Sequence, residues 1–374
     1  MKPQLLLVAD TSFPKVDGIL RFMEEFISQA SDTFSISLLV PRLGEQRGYL
    51  PTTFLTPWKG ISLSGYPTIA LSWKNLRKIK EAVAKADIIF IQGPALLSYL
   101  AMYYGKKMKK KTVAYLHVIS WELFSKFLPK ALHRITYAVI KKISLFFYNH
   151  CTRILVPYAG LAHQLQEEGI RIPIQVAQLG VDIHRFVPSP HPKVSKENIG
   201  IPADAFVIGY VGRISREKNT EILIKAFHRM THKEKVVLLM VGDGLPAQTK
   251  SCQELNNCRI TGFVTEVEKY LQAMDVFVMP SLTETTSLST LEAMAAGLPV
   301  VATKVGFLQE YLKKEENGLF FPKNNAAHLA LKLDLLRRKK EFRLRLGINA
   351  RKTVVSSFSW EQSIGRMKQC LLSD

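Results

Sequence analysis

Two acids eight positions apart, Glu284 and Glu292, sit in Thr283-Glu284-Thr285-Thr286-Ser287-Leu288-Ser289-Thr290-Leu291-Glu292. A carboxylate accepts two hydroxyls at once, so such a pair suits a polyol such as a sugar or a ribose. The segment follows the apolar run Val276–Met279 and reads as a loop entering a helix. The amides of Thr286, Ser287 and Leu288 are then the free donors of a helix N-terminus, suited to a phosphate or a sugar oxygen. Upstream, Gly209-Tyr210-Val211-Gly212-Arg213 closes an apolar run, and Lys218 follows just before another helix. A guanidinium and an ammonium at this spacing can grip a diphosphate, Arg as a planar fork and Lys as a mobile point charge. A third segment, Val241-Gly242-Asp243-Gly244-Leu245-Pro246-Ala247, has the spacing of a weak dinucleotide fingerprint. Pro246, and the lack of a clear acid after the next strand, make it a tight turn rather than a nicotinamide site.

The first half offers less. Gly18 ends the turn that starts at Asp10 and precedes the helical stretch Leu20–Ala30, so the backbone there can approach a phosphate closely. His117 lies near the carboxyl end of the run Thr112–Val118. A lone histidine there is usually a packed, hydrogen-bonded residue, but its sheet edge is where ligands of α/β domains bind. The cysteines Cys151, Cys252, Cys258 and Cys370 complete no zinc pattern and are expected as buried free thiols in a reducing cytoplasm. The chain contains no Asp-x-Asp, so a metal-chelated diphosphate is not expected, and two cations can do that job.

These residues need elements to hold them. Apolar runs at Leu5–Ala9, Phe34–Val40, Ile88–Gln92, Thr112–Val118, Arg153–Pro157 and Ile174–Leu179 are nearly continuous in hydrophobicity, which marks strands buried on both faces. The pattern restarts after about residue 200, with Val207–Val211, Val236–Val241, Ile260–Gly262, Val276–Met279, Pro299–Ala302 and Gly318–Phe321. Helical stretches alternate with them, among them Glu221–Met230 and Leu291–Ala296. The expected architecture is α/β, two doubly wound Rossmann-like domains facing a cleft. Prolines at 188, 190 and 192 mark the connector, so domains are expected over 1–187 and 188–355. A last helix over 356–374, with Ser359 as its cap, is expected to return to the first domain.

Composition narrows the partners. With 47% hydrophobic and 22% charged residues over 374 positions, the chain is neither disordered nor dependent on disulfide staples. No apolar run approaches the roughly 20 residues of a membrane span, and the N-terminal run reads as too short for a signal peptide. The net charge of +20 calls for an anionic partner. Residues 101–150 alone hold ten basic side chains against one acid, Glu122. The helical stretch Lys130–Phe147 carries Leu132, Ile135, Val139, Ile143 and Phe146 on one face, expected to pack on the core. Lys126, Lys130, Arg134 and Lys141 fall on the other. That basic face either stays solvated or, with Lys106, Lys107, Lys109, Lys110 and Lys111, rests on anionic headgroups, with Trp121 and Phe124 dipping into the interface or admitting an acyl chain. Nucleic acid would explain the charge but not Glu284 and Glu292, and no aromatic-basic RNA motif is present.

Taken together, the segments from Gly209 to Pro322 resemble the retaining glycosyltransferases of family 4, which have the GT-B fold. The likeness rests on the E-x7-E pair, on Gly262-Phe263-Val264, on Glu292-Ala293-Met294-Ala295-Ala296-Gly297-Leu298-Pro299 and on Asn317-Gly318-Leu319-Phe320-Phe321-Pro322. Gly180-Val181-Asp182 followed by Phe186 matches more loosely. The resemblance implies Arg213 and Lys218 on the donor diphosphate, Glu284 on the donor sugar, Glu292 on the ribose and the backbone at Phe263 and Val264 on the base. It also implies Gly18 beneath the diphosphate and His117 beside the transferred sugar. Two departures stand out: Thr286-Ser287 replaces an aromatic-Gly pair, and one glycine at 18 replaces two. The polar loop and the basic first half resemble diacylglycerol glucosyltransferases in particular. The implied reaction moves a hexose, glucose first, from a nucleotide diphosphate sugar such as UDP-glucose to a membrane lipid with an α linkage. It would run without a metal, in the cytoplasm, on the inner face of the membrane. A polysaccharide, lipopolysaccharide or other soluble acceptor, or mannosyl transfer from GDP-mannose, is the alternative.

Overall fold

The computed structural model describes residues 1–12, 18–44, 50–63, 66–125, 133–231 and 233–373. The chain divides into two units, Met1–Gln178 with Ser363–Asp374, and Leu179–Gln362. The boundary expected at 187/188 therefore falls inside the second unit. The reason is packing: Phe186 is buried, Val181 pairs with Ser359, and a side chain at Gly180 would meet the backbone of Ser359 and Trp360. The prolines that follow mark a stiff segment of that unit rather than its edge.

The first unit is built on strands β1 (Gln4–Val8), β2 (Ser35–Pro41), β3 (Thr52–Leu55), β6 (Ile88–Ile91), β7 (Lys111–Tyr115), β8 (Arg153–Val156) and β9 (Ile174–Val176), with β4 (Pro57–Leu63) and β5 (Tyr66–Ile69) forming a separate antiparallel pair. The large sheet runs β3-β2-β1-β6-β7-β8-β9 and is parallel throughout. β1, β6 and β8 are buried along their whole apolar length, as continuous hydrophobicity demands of strands covered on both faces. β3 and β5 were not legible, being only four residues each with Thr or Pro among them, and β4 interrupts its apolar residues with Lys59 and Gly60. The helix Trp360–Leu372 begins on a Ser359 cap, whose Oγ accepts from Gln362 N at 3.3 Å. Its later part belongs to the first unit, where Arg366 Nη1 donates to Gln178 Oε1 at 2.7 Å and Arg153 Nη1 to Cys370 O at 3.1 Å.

The second unit carries β10 (Phe206–Val211), β11 (Val236–Val241), β12 (Cys258–Ile260), β13 (Val276–Met279), β14 (Val300–Ala302) and β15 (Gly318–Phe320) in the order β12-β11-β10-β13-β14-β15, again all parallel. This is the doubly wound order whose chain direction reverses beside the first strand. Loops there leave β10 and β13 on opposite faces and open a crevice at the carboxyl ends of the strands. Cys252 and Cys258 are joined to each other, which corrects the free-thiol expectation for both. The end of helix Pro246–Gln253 and the start of β12 bring their Cα atoms to 5.6 Å, within bridging range. Cys151 and Cys370 are free, and burial pushes the Cys151 thiol up to about 12. No helix among the described residues is long and apolar enough to cross a membrane.

Candidate functional site

The reversal between β10 and β13 is where the charged residues collect. β10 ends at Val211, and the loop from Gly212 to Asn219 leads into the helix Thr220–Arg229. β13 ends at Met279, and the loop from Pro280 to Ser287 leads into the helix Leu288–Ala295. The two loops are stitched together. Leu282 N donates to Glu217 O at 3.0 Å, and Asn219 Nδ2 donates to Pro280 O at 3.2 Å. Lys218 Nζ lies 2.6 Å from Glu284 Oε1, with the two side chains 25% and 7% exposed.

Glu284 is held by one of its two oxygens. Oε1 takes both Lys218 Nζ and Ser281 Oγ, the latter at 2.7 Å, while Oε2 has no bond among the described residues. The carboxylate is thus fixed in orientation with an acceptor oxygen to spare. Ser281, itself fully buried, is the residue that sequence reasoning missed. Its signal was a lone hydroxyl three positions before the first acid, too ordinary to read. Beyond Glu284 the loop is pinned from below. Gly306, at φ +48°, lets the next loop pass so close that a Cβ there would lie 1.7 Å from Glu284 O. Phe307 N donates to Thr285 O at 2.9 Å and Tyr311 Oη to Thr286 O at 3.0 Å.

Ser287 occupies the left-handed region at φ 59°, and Asn219 does the same at 53°. Such strain in residues other than glycine persists where surrounding contacts over-determine it, and it gathers at ligand sites. The amides of Thr286, Ser287 and Leu288 meet no acceptor among the described residues, and the buried Thr286 Oγ1 has no partner. Arg213 is exposed and makes no ion pair among the described residues. Glu292 lies within the helix Leu288–Ala295 and is only 4% exposed. Phe263 and Val264 follow Gly262 at the carboxyl end of β12, two strands from β10, with the Phe263 ring open to solvent. Gly242 and Gly244 serve the turn expected of them: a Cβ at Gly242 would fall 2.1 Å from Gly212 O.

In the first unit the corresponding sheet edge holds Asp10, Gln92 and His117 after β1, β6 and β7. His117 Nε2 lies 2.9 Å from Gln92 Oε1, and its ring packs against Phe22 and Tyr115. Burial lowers its pKa to about 3, so the imidazole is neutral at physiological pH and serves as a hydrogen-bonding group rather than an acid. Gln92 was not singled out from the sequence; its Nε2 is buried without a partner among the described residues. Asp10 accepts from Ala95 N and Leu97 N at 3.2 Å and from Ser98 Oγ at 2.5 Å, tying β1 to the loop after β6. Gly18 starts the helix Gly18–Ala30; the turn before it, 13–17, lies outside the described residues.

The basic helix departs from expectation. It runs His133–Tyr148, and its stripe Ile135, Val139, Ile143 and Phe146 is 65%, 51%, 45% and 57% exposed rather than packed on the core. The core-facing side is instead the one with Ile140, Ser144, Leu145 and Tyr148: Ser144 and Tyr148 are buried, Ile140 and Leu145 pack against the core, and Tyr99 Oη meets Ser144 Oγ at 2.8 Å. Lys141 is not on an open cationic face, because it is half-buried and ion-paired to Glu168. Trp121 cannot enter a bilayer surface, since it is fully buried in the core. Arg134, Lys106, Lys107 and Lys109 are exposed, Lys110 is half-buried, and Lys111 Nζ is committed to Ser373 O at 2.5 Å. Lys126, Lys130 and Leu132, and the side chain of Phe124, lie outside what the structure describes.

Two sequence-family models match the chain, the group 1 glycosyl transferases over 193–353 and Glycosyltransferase Family 4 over 16–185. The chain belongs to the GT-B glycosyltransferases. This glycosyltransferase is 26% identical to an alpha-monoglucosyldiacylglycerol synthase of Acholeplasma laidlawii over 70% of its own length and 69% of that protein's. A Streptococcus pneumoniae protein of the same name is 24% identical over 84% and 74%. An uncharacterised glycosyltransferase of Methanocaldococcus jannaschii is 34% identical over 44% of each chain, so the match spans under half of that relative. The Anabaena HepE structure with UDP superposes at a TM-score of 0.80, with 19% identity and 99% of both chains covered, which gives the fold.

Proposed function

We propose that this glycosyltransferase moves a hexose, glucose first, from a nucleoside diphosphate sugar to a hydroxyl of a membrane glycerolipid, with an α linkage retained. The single observation that carries the donor reading is Glu284, held on Oε1 by Lys218 and Ser281 with Oε2 unspent. In this reading Oε2 accepts sugar hydroxyls. Arg213, the remaining N–H groups of Lys218 and the amides of Thr286, Ser287 and Leu288 meet the diphosphate. Charge grows on that diphosphate as the bond from the sugar C1 to phosphate oxygen breaks, so fixed donors aimed at it lower the barrier. The acceptor oxygen bonds to C1 on the same face, and its proton passes to the departing phosphate oxygen. Glu292 takes the ribose, and the backbone at Phe263 and Val264 the base. With two cations on the diphosphate, no divalent metal is required.

The lipid acceptor is supported by two relatives named alpha-monoglucosyldiacylglycerol synthase that align along most of the chain. It is also supported by the exposed Ile135–Phe146 stripe. An apolar helix face bordered by the open cations Arg134, Lys142 and Lys106 matches an anionic bilayer surface, with the stripe in the acyl boundary and the cations on headgroups. In this reading the enzyme works peripherally, on the cytoplasmic face of the membrane. The deciding assay offers UDP-glucose and GDP-mannose separately with diacylglycerol in anionic mixed micelles and with soluble oligosaccharides. Transfer to lipid from UDP-glucose, with an α anomeric signal by NMR, is the expected result. Transfer only to the oligosaccharides, or a β product, defeats the proposal. Relatives named D-inositol 3-phosphate glycosyltransferase favour a soluble acceptor, but they align over about half of the chain, as in the 28% identity over 51% of it.

A further inference from the structure

A second recess lies in the same unit at the other end of the strands. Asp275 and Pro299, the residues just before β13 and β14, help line a cavity of about 730 Å³. That volume is within the range of small-molecule sites, about 300–1,000 Å³. Leu271, Met274 and Leu298 form its sheet side, and Leu344 and Ile348 of the helix Lys340–Ser357 form its outer wall. Leu344 and Ile348 are 52% and 57% exposed, a strip of apolar surface that continues the cavity outward. The helix comes this close because residue 347 is glycine: a Cβ there would fall 2.2 Å from Gly297 O.

The charge of the lining is lopsided. Arg343, Arg351 and Lys352 face a single carboxylate, Asp275. That carboxylate is already answered by Lys196 Nζ at 2.7 Å and by Arg343 Nη2 at 3.7 Å. Arg351 has no carboxylate partner among the described residues. Its Nη1 donates to Phe186 O at 2.9 Å and to Ala295 O, and its Nη2 to Ile183 O at 3.4 Å. Backbone carbonyls hold the guanidinium in place, and its full positive charge meets no counter-charge among the described residues; Lys352 lies one position along the same helix.

We propose that this cavity binds a single-chain anionic amphiphile, a long-chain carboxylate. Its chain lies along Leu271, Leu298 and Ile348 and its head on Arg351 and Lys352. Apolar carbon alone would take a neutral chain as readily. The two cations are what select the anion. This site is separate from the donor residues, and the proposal stands whether or not the lipid-acceptor reading holds.

The test titrates the full chain with a fluorescent polyene carboxylate of about 16–18 carbons, sized to this volume range, and with its primary alcohol counterpart, both kept below their micellar concentrations. The expected result is one saturable site per chain, with the carboxylate bound about tenfold or more tighter than the alcohol, the usual worth of a charge-assisted bond. Lys352→Glu removes most of that preference. Ile348→Asp alters an exposed wall residue and spares the bonds of Arg351. It is expected to weaken carboxylate binding about tenfold or more, since each lost methylene contact costs about fourfold, with the melting temperature unchanged. Equal affinity for acid and alcohol overturns the proposal, as does the absence of saturable binding or an unchanged Ile348→Asp. Sedimentation as a dimer that Ile348→Asp converts to monomer also overturns it, by giving the face to a second copy.

Discussion

Replacing Glu284 by Gln tests the donor site with the least disturbance. The side chain keeps its shape, Ser281 keeps an acceptor, and only the charge leaves. Two consequences follow from the geometry. Lys218 loses its counter-charge at 2.6 Å, and a sugar hydroxyl on the other oxygen meets a neutral amide. Breaking a well-buried pair costs about 3–5 kcal/mol, but Lys218 is 25% exposed and water restores much of its solvation. The stability loss is discounted accordingly to roughly 1–2 kcal/mol. Losing a charge-assisted bond in the transition state removes about 1.5–3 kcal/mol, or about 10- to 150-fold in kcat/KM. Glu284→Ala removes shape as well and is expected to abolish transfer. The assay is steady-state transfer with the donor varied, beside thermal unfolding of both variants. A folded Glu284→Gln enzyme with kcat/KM within about threefold of the parent, below the cost of one such bond, would refute the assignment of Glu284 to the sugar.

Lys218→Ala and Arg213→Ala are each expected to lower kcat/KM by about 10²-fold or more, and Arg213→Ala, being exposed and unpaired, should leave the melting temperature in place; normal turnover by a folded variant counts against a diphosphate role. Gly306→Ala puts a methyl group where Glu284 O now lies and asks alanine to hold φ +48°, so it should cost about 1–3 kcal/mol in stability and activity with it; unchanged melting would mean that the loop has room to give. His117 has a folded-state pKa near 3, below its unfolded value of about 6.5. It therefore contributes stability above pH 6.5 that fades as pH falls toward 3, and the parent should lose more unfolding free energy between pH 7 and 5 than His117→Gln does. An imidazole that titrates near 6.5 by NMR contradicts this. Ile135→Asp and Phe146→Asp alter exposed residues, so they should reduce co-sedimentation with anionic vesicles without changing the melting temperature, and parent binding should weaken with salt; equal binding to neutral vesicles speaks against the bilayer surface.

Local chemistry wrote much of the frame. A strand buried on both faces must be apolar throughout, so Val236–Val241 and Val276–Met279 were readable to the residue. The acids Glu284 and Glu292 were readable because their loop-to-helix setting is local in sequence. The two-sheet α/β plan and the GT-B family followed from such segments in order. What tertiary structure decided was contact between distant segments. No spacing rule says that Lys218 meets Glu284, because the two lie on different loops that only the strand order β10-β13 makes neighbours. Ser281 and Gln92 stayed invisible for the same reason: each is an ordinary polar residue until the fold aims it. The helix His133–Tyr148 shows the converse. Its apolar periodicity was correct, but periodicity names a face and not its partner. The core took the side with Ser144 and Tyr148, where Tyr99 supplies a hydrogen bond, and left Ile135, Val139, Ile143 and Phe146 outside. A pattern of hydrophobicity records what can be buried, and only packing decides what is.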